Sequence, residues 1–450
     1  MKRGMLALAL VGVMSISCVG LVACGGGGND KDTATTKYIT VWLHKSEAEP
    51  EGRTYRALMD EFNDADYVTE DGRDIVMRIE FKGTAETLDT AINGEILSGG
   101  LPDVVAVDAG DITAYANDDL LVPIDDYITA EERNDYVDSV IEQSTFKDKL
   151  YALSGMDTPG GLYYNRAALE SVGYGTEEKP FGTIENPWSW KDLEEAMEAL
   201  KAKNDQDGTT PYKLRANIGF GGDEGAMYLY SPVVYSAGGQ FYGPNEQVTG
   251  YLNGEASMNG LNQLNELFAN KKDYMEEGNN ALAFPQGDAA FEIYGPWLIN
   301  SIAESYPEFE DDYDIMPFPV YEASDGTKGT IATPCGPWGF GVTRDADDIE
   351  AAVQVVKFLT GAHASEMFFN DIGTFPTHKS VLNTMEEFTT EGPLKSLSEL
   401  LLETATPRPK MVNYPRLSVA YRDIIAFIKT QTGSQSLTDY VLEKAQSVDR

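Results

Sequence analysis

From Lys37 onward the chain alternates short apolar runs with amphipathic stretches, and this alternation limits its fold more than any other feature. Tyr38-Ile39-Thr40-Val41-Trp42-Leu43 reads as a first strand, residues 54–62 as a helix with Tyr55, Leu58 and Phe62 on one face, and residues 75–81 as a second strand. A second helix is predicted over 87–97, where Leu88, Ile92 and Ile96 recur every fourth position. Asp103-Val104-Val105-Ala106-Val107, opened by Leu101-Pro102, is continuously apolar, as a parallel strand buried on both faces has to be. The expectation is α/β architecture. Ligands in open α/β sheets sit beyond the carboxyl ends of strands, which singles out His44, Lys45, Ser46, Glu47 and Asp108. The competing reading makes His44 and Lys45 solvated loop residues and Asp108 a turn cap.

The middle of the chain changes character at Tyr151-Ala152-Leu153-Ser154-Gly155-Met156-Asp157-Thr158-Pro159-Gly160-Gly161, two strand-like pieces separated by Gly and Pro. This reads as the backbone leaving one lobe and entering another. Ser189 with Asp192 three residues on predicts a capping box for a helix reaching Leu200, whose buried face is Leu193, Met197 and Leu200. Asn204-Asp205-Gln206-Asp207-Gly208 has the spacing of half a calcium loop but lacks the bidentate Glu, and reads as a turn. A Tyr-rich helix is expected over 227–235, ended by Gly238-Gly239, and a strand over 288–294 leads into Gly295-Pro296-Trp297. Residues 333–342 read as a second crossing-like segment, followed by a helix over 347–360 and late helices over 417–430 and 437–446.

The chain opens with Lys2 and Arg3, an apolar run from Met5, and then Leu21-Val22-Ala23-Cys24-Gly25-Gly26-Gly27-Gly28. This has the form of an export signal, residues 1–23, ending at a lipobox, with Cys24 the lipidation site and 24–37 a flexible tether. An ordinary cleaved signal is the alternative; the stretch is short for a membrane span. About 427 residues then remain, more than one core usually holds, so two lobes are expected. The sequence has 34 Lys plus Arg against 73 Asp plus Glu, a formal charge of −39, which speaks against nucleic acid as a partner. Cys18 leaves with the signal and Cys24 carries the lipid, so Cys335 has no disulfide partner.

Taken in order, the first strand with its Trp, Leu101-Pro102-Asp103-Val104-Val105, Gly160-Gly161-Leu162-Tyr163-Tyr164-Asn165-Arg166 and Pro187-Trp188-Ser189-Trp190 resemble the family 1 extracellular solute-binding proteins. Gly287-Asp288-Ala289-Ala290, Gly295-Pro296-Trp297, Gly336-Pro337-Trp338-Gly339-Phe340-Gly341-Val342 and Gly373-Thr374-Phe375-Pro376 continue the likeness. These are carbohydrate receptors of ABC importers. The resemblance implies a two-lobe periplasmic-binding-protein type II fold with a hinge and an interlobe cleft. Lobe one would comprise 38–155 plus 336–385, and lobe two 156–335 plus 386–450. The protein is then expected to be a non-enzymatic, cofactor-free and metal-free monomer. It would deliver an oligosaccharide to permease subunits from the outer face of a Gram-positive cell membrane, held there by its lipid anchor.

A sugar ring has an apolar C–H face and a rim of hydroxyls, so its site wants aromatic platforms and directional polar groups. Trp297 and Trp338, both at Gly-Pro turns, are the expected platforms, whereas Trp42 reads as core and Trp188 and Trp190 as packing residues. His44, Lys45, Glu47, Asp108 and Asp157 are nominated for the hydroxyl rim. By the family's pattern Tyr228, Tyr414 and Arg416 face the cleft too. Val107-Asp108 stands where maltose receptors carry an aromatic residue after the third strand, so maltodextrin specificity does not carry over with the resemblance. Two other readings stay open: the same fold with a non-sugar solute such as a polyamine, peptide or metal chelate, and a secreted glycoside hydrolase working through paired carboxylates. The sequence contains no Gly-x-Ser-x-Gly or His-Glu-x-x-His, and its His residues are His44, His363 and His378.

Overall fold

The computed structural model describes residues 32–96, 98–207, 216–217, 224–270, 275–276, 281–430 and 435–450. The export signal, Cys24 and the glycine tether lie outside the described residues, as does Gly208. Strand β1 (Thr36–Leu43) pairs in parallel with β2 (Asp74–Phe81) on one side and with β3 (Val104–Asp108) on the other. Antiparallel to β3 runs Trp338–Val342, which also pairs with Ala152–Leu153, giving a five-stranded sheet for lobe one. Every residue of β3 before Asp108 is buried, as its unbroken apolar sequence requires when both faces are covered.

Helix α1 (Pro50–Asp64) begins four residues earlier than the apolar periodicity indicates, because Pro50, with its fixed φ and no N–H to satisfy, occupies the first turn. Its Tyr55, Leu58, Met59 and Phe62 are buried. Helix α2 (Ala85–Glu95) is set by a capping box between Thr84 and Thr87 and buries Leu88 and Ile92.

Lobe two carries a second five-stranded sheet among the described residues, ordered Met275–Glu276, Ala216–Asn217, Phe291–Tyr294, Gly161–Asn165, Tyr313–Met316. All of Gly161–Asn165 is buried: Leu162 and Tyr164 point into one apolar cluster with Trp188 and Leu193, while Tyr163 points into another with Phe284 and Tyr313. Ser189 caps the following helix as expected, its N–H donating to Asp192 Oδ2 at 2.7 Å and its Oγ accepting from Asp192 N at 3.2 Å. That helix (Trp190–Asp207) runs through Asn204-Asp205, so the expected turn there is helical instead. Tertiary support from Leu193, Met197 and Leu200 at its buried start outweighs the weak propensity of its acidic end. Trp42, Trp188 and Trp190 are core residues, 8%, 4% and 2% exposed.

Extended segments run together at 154–160, 333–337 and 405–408. Thr333 and Pro334 pair in parallel with Ala405 and Thr406. Gly160 N donates to Pro334 O at 2.9 Å, and Thr158 Oγ1 to Gly336 O at 3.1 Å. Met156 and Asp157 also pair antiparallel with Phe375 and Pro376. These hydrogen bonds tie the extended segments into one short bundle.

Candidate functional site

Strand direction decides what gathers at the mouth of lobe one. β1 and β3 are parallel and end at Leu43 and Asp108, so His44 and Asp108 emerge on one edge. The strand Trp338–Val342 is antiparallel, with Trp338 opposite Asp108, and its first residue therefore reaches the same edge. His44 stacks on Trp338 with ring centroids 3.7 Å apart and an 18° interplanar angle. One face of Trp338 is thus occupied by the imidazole.

Burial holds the His44 imidazole neutral, with its pKa lowered to about 3, and the charge of Lys45 adds to the shift. His44 Nδ1 is buried without a hydrogen-bond partner among the described residues. Lys45 turns to Glu51, Nζ to Oε2 at 2.9 Å, and burial raises the Glu51 carboxyl pKa despite that cation. Glu47 is well exposed and pairs at 3.4 Å with the exposed Arg56, away from the stacked rings. The charged loop after β1 thus divides, and of His44, Lys45 and Glu47 it is His44 that packs against Trp338.

On lobe two, Gly161 pairs with Tyr294, so the chain enters this sheet where Phe291–Tyr294 leaves it toward Gly295-Pro296-Trp297. Tyr163 donates to Gly295 O at 2.8 Å and fixes that turn. Trp297, half-buried, starts the helix Trp297–Ser305, and its ring lies back over Gly295. Tyr294 meets the ring edge-on at 5.4 Å and Tyr228 lies 6.3 Å away, forming an aromatic wall. Tyr228 donates its hydroxyl to Thr158 O in the hinge.

Between the lobes sits Arg408, which is 4% exposed. Its guanidinium donates to Asp108 Oδ1 of lobe one, to Glu224 Oε1 of lobe two at 2.7 Å, and to Tyr414 Oη at 3.3 Å. Tyr414 and Ser418 both donate to the Glu224 carboxylate. Burial works against the Arg408 charge, but the carboxylates of Asp108 and Glu224 outweigh it and raise its pKa. Asp111, behind Asp108, has its carboxyl pKa raised to about 7 by burial and by the charges of Asp108 and Glu224. The lobe junction is therefore acid-rich around the buried Arg408 guanidinium.

Two nominated residues are placed elsewhere. Asp157 is 0% exposed and accepts from Thr158 N at 2.7 Å, Gly336 N at 3.0 Å and Ser139 Oγ at 3.0 Å. It ties two hinge segments together and has no surface for a ligand; burial outweighs those bonds and raises its pKa. Arg416 is exposed, since it lies two residues beyond the buried Tyr414 and is turned about 200° around the helix. The cation at the lobe junction is Arg408, which sequence reasoning did not single out, nor its partner Glu224. Pro407-Arg408-Pro409 carried a signal, because flanking prolines force an extended segment of the kind that crosses between lobes.

The model for bacterial extracellular solute-binding proteins matches residues 46–366. An uncharacterized ABC transporter extracellular-binding protein of Pyrococcus horikoshii is 24% identical over 343 residues, 71% of this chain and 70% of that one. Among solved structures, the sugar-binding protein MalE of Xanthomonas citri superposes with a TM-score of 0.73 at 16% identity, covering 92% of this chain and 96% of its own. The cyclic alpha-maltosyl-1,6-maltose binding protein of Arthrobacter globiformis gives 0.71 at 20% identity, covering 92% and 99%. Both confirm the two-lobe fold. With most of its length matched, the chain belongs to the bacterial extracellular solute-binding protein family.

Proposed function

We propose that this protein captures an oligosaccharide in the cleft between its lobes and hands it to the permease of an ABC importer. The observation that carries this reading is the cluster at the lobe junction: Arg408 joins Asp108 to Glu224, Trp338 lies opposite Asp108 on its sheet, and Tyr228, 6.3 Å from Trp297, lies against Gly336. Flat rings suit the C–H face of a pyranose, and carboxylates and a guanidinium suit its hydroxyls. The sugars in the names of the two solved relatives support the same class of ligand. Trp297, Trp338, Tyr228, His44, Asp108 and Tyr414 are the contacts we assign; Lys45, paired with Glu51, and the exposed Glu47 and Arg416 are given none.

Cys24 is the proposed lipid attachment and keeps a monomeric receptor at the outer face of a Gram-positive membrane, with Gly25–Gly28 supplying slack for docking. Ligand that binds only the folded, closed form raises the melting temperature. A thermal-shift and Trp-fluorescence panel of oligosaccharides tests the reading: one sugar should raise melting by several degrees and change the emission. Silence across the panel, with a response to a polyamine or peptide, would replace the sugar reading.

A further inference from the structure

Lobe one holds a cavity of about 250 Å³ that shares no lining residue with the Arg408 cluster; Ile128, Tyr136, Leu153 and His378 form part of its wall. His378 is 5% exposed and stands opposite Tyr136 in an antiparallel bridge, the two ring centroids 4.3 Å apart. Two hydroxyls fix which imidazole nitrogen carries the proton. Ser365 Oγ donates to Gly155 O and Thr377 Oγ1 to Ser154 O, each at 2.6 Å, so both hydroxyl protons are committed and His378 Nδ1 has to be the donor toward these oxygens, at 3.2 and 3.5 Å. Burial keeps the ring neutral, lowering its pKa to about 4 against the opposing charge of Asp135. Nε2 is then a bare lone-pair acceptor. It has no hydrogen-bond partner among the described residues, yet it is not sealed from solvent.

The other polar groups of the wall are engaged with protein. Lys357 Nζ lies 2.8 Å from Glu132 Oε1 and donates to Oε2 at 3.0 Å, while Asp135 accepts from Ser380 N at 2.8 Å and from Ser380 Oγ at 2.6 Å. The Tyr136 hydroxyl meets Thr360 Oγ1 at 2.9 Å. An ionic ligand would have to compete with these pairs, whereas an uncharged one needs only a donor for Nε2 and apolar surface for the rest. A cavity of about 150 Å³ is enough for benzene, so this one suits a single ring with a substituent. We propose that it is a small-molecule site that takes an uncharged monocyclic aromatic alcohol, whose hydroxyl donates to His378 Nε2 and whose ring packs on Tyr136, Leu153 and Ile128. The site is independent of the capture reading, because none of the residues lining it is among the contacts assigned to the sugar.

The test is NMR of the protein carrying histidine labelled at Cε1, titrated with phenol; His44, His363 and His378 are its histidines, so each imidazole signal can be followed separately. Phenol should shift the His378 signal, identified by its loss in His378→Gln, and leave that of the exposed His363 in place. Toluene keeps the ring and lacks the donor, and should bind about tenfold more weakly. Ala362→Phe puts a ring into the cavity without removing a bond of His378, and should weaken phenol binding by about tenfold or more. A His378 signal that phenol leaves unmoved, or toluene binding as tightly as phenol, would overturn the site. So would unchanged phenol affinity in an Ala362→Phe protein that thermal melts show to be folded, and the wild-type comparison of phenol with toluene stands whether or not that variant folds. Because no sugar is present, failure here leaves the capture reading to the oligosaccharide panel.

Discussion

Replacing Asp157 separates a hinge role from a ligand role. Its Oδ1 accepts two backbone N–H groups, Thr158 at 2.7 Å and Gly336 at 3.0 Å, and its Oδ2 accepts Ser139 Oγ at 3.0 Å. In Asp157→Ala both amides lose their acceptor in a site closed to water. An unsatisfied buried donor costs about 1–3 kcal/mol, so the variant should be roughly 3–5 kcal/mol less stable. Asp157→Asn behaves differently. The amide oxygen still serves both N–H groups, and the Ser139 hydroxyl can rotate to accept from the new NH2, so the loss should stay below about 1.5 kcal/mol. Urea unfolding followed by circular dichroism reads both values. Asp157→Ala within about 1 kcal/mol of wild type would refute the hinge assignment. So would an Asn variant of normal stability that no longer binds ligand, since that is the signature of a rim carboxylate.

Trp297→Ala should weaken binding of the sugar found in the panel at least tenfold, about 1.4 kcal/mol, and lower the melting temperature only modestly because the ring is half-buried; calorimetry giving unchanged affinity would make Trp297 a packing residue. Stability should fall on acidification through His44. Unfolded imidazole takes a proton below about pH 6.5 whereas the folded one holds none until about pH 3, so each unit between those limits removes about 1.4 kcal/mol; chemical unfolding at pH 7 and pH 5 should differ by about 2 kcal/mol from this group, and His44→Gln should flatten that slope. Cys24→Ser should release a protein that still binds sugar into the medium, and its retention in washed membranes would contradict the lipobox.

Periodicity alone located most elements. The apolar faces of α1 and α2, the capping box at Ser189 and the continuous run of β3 are local properties, and local properties can be read from neighbouring residues. Boundaries moved where a terminal residue had a special backbone role, as Pro50 does, or where a buried helix start carried a polar end along, as at 204–207. The site was legible only in part. His44, Asp108, Trp297 and Trp338 could be nominated because each stands at a strand end or a Gly-Pro turn. Asp157 was drawn toward the ligand by its charge, since a carboxylate's three donors, coming from residues 139, 158 and 336, cannot be seen along the chain.

What the sequence by itself determined is therefore the set of parts: α/β lobes, Gly-Pro crossings, and aromatic and acidic residues placed just beyond strands. What tertiary structure decided is which of them meet. The antiparallel course of Trp338–Val342 brings Trp338 onto His44 and opposite Asp108, and the pairing of Ala405–Thr406 with Thr333–Pro334 puts Arg408 between the lobes. Asp108 and Arg408 are 300 positions apart in the chain and share a hydrogen bond. Contacts of that kind depend on how sheets and crossings close in space, and no local pattern encodes them.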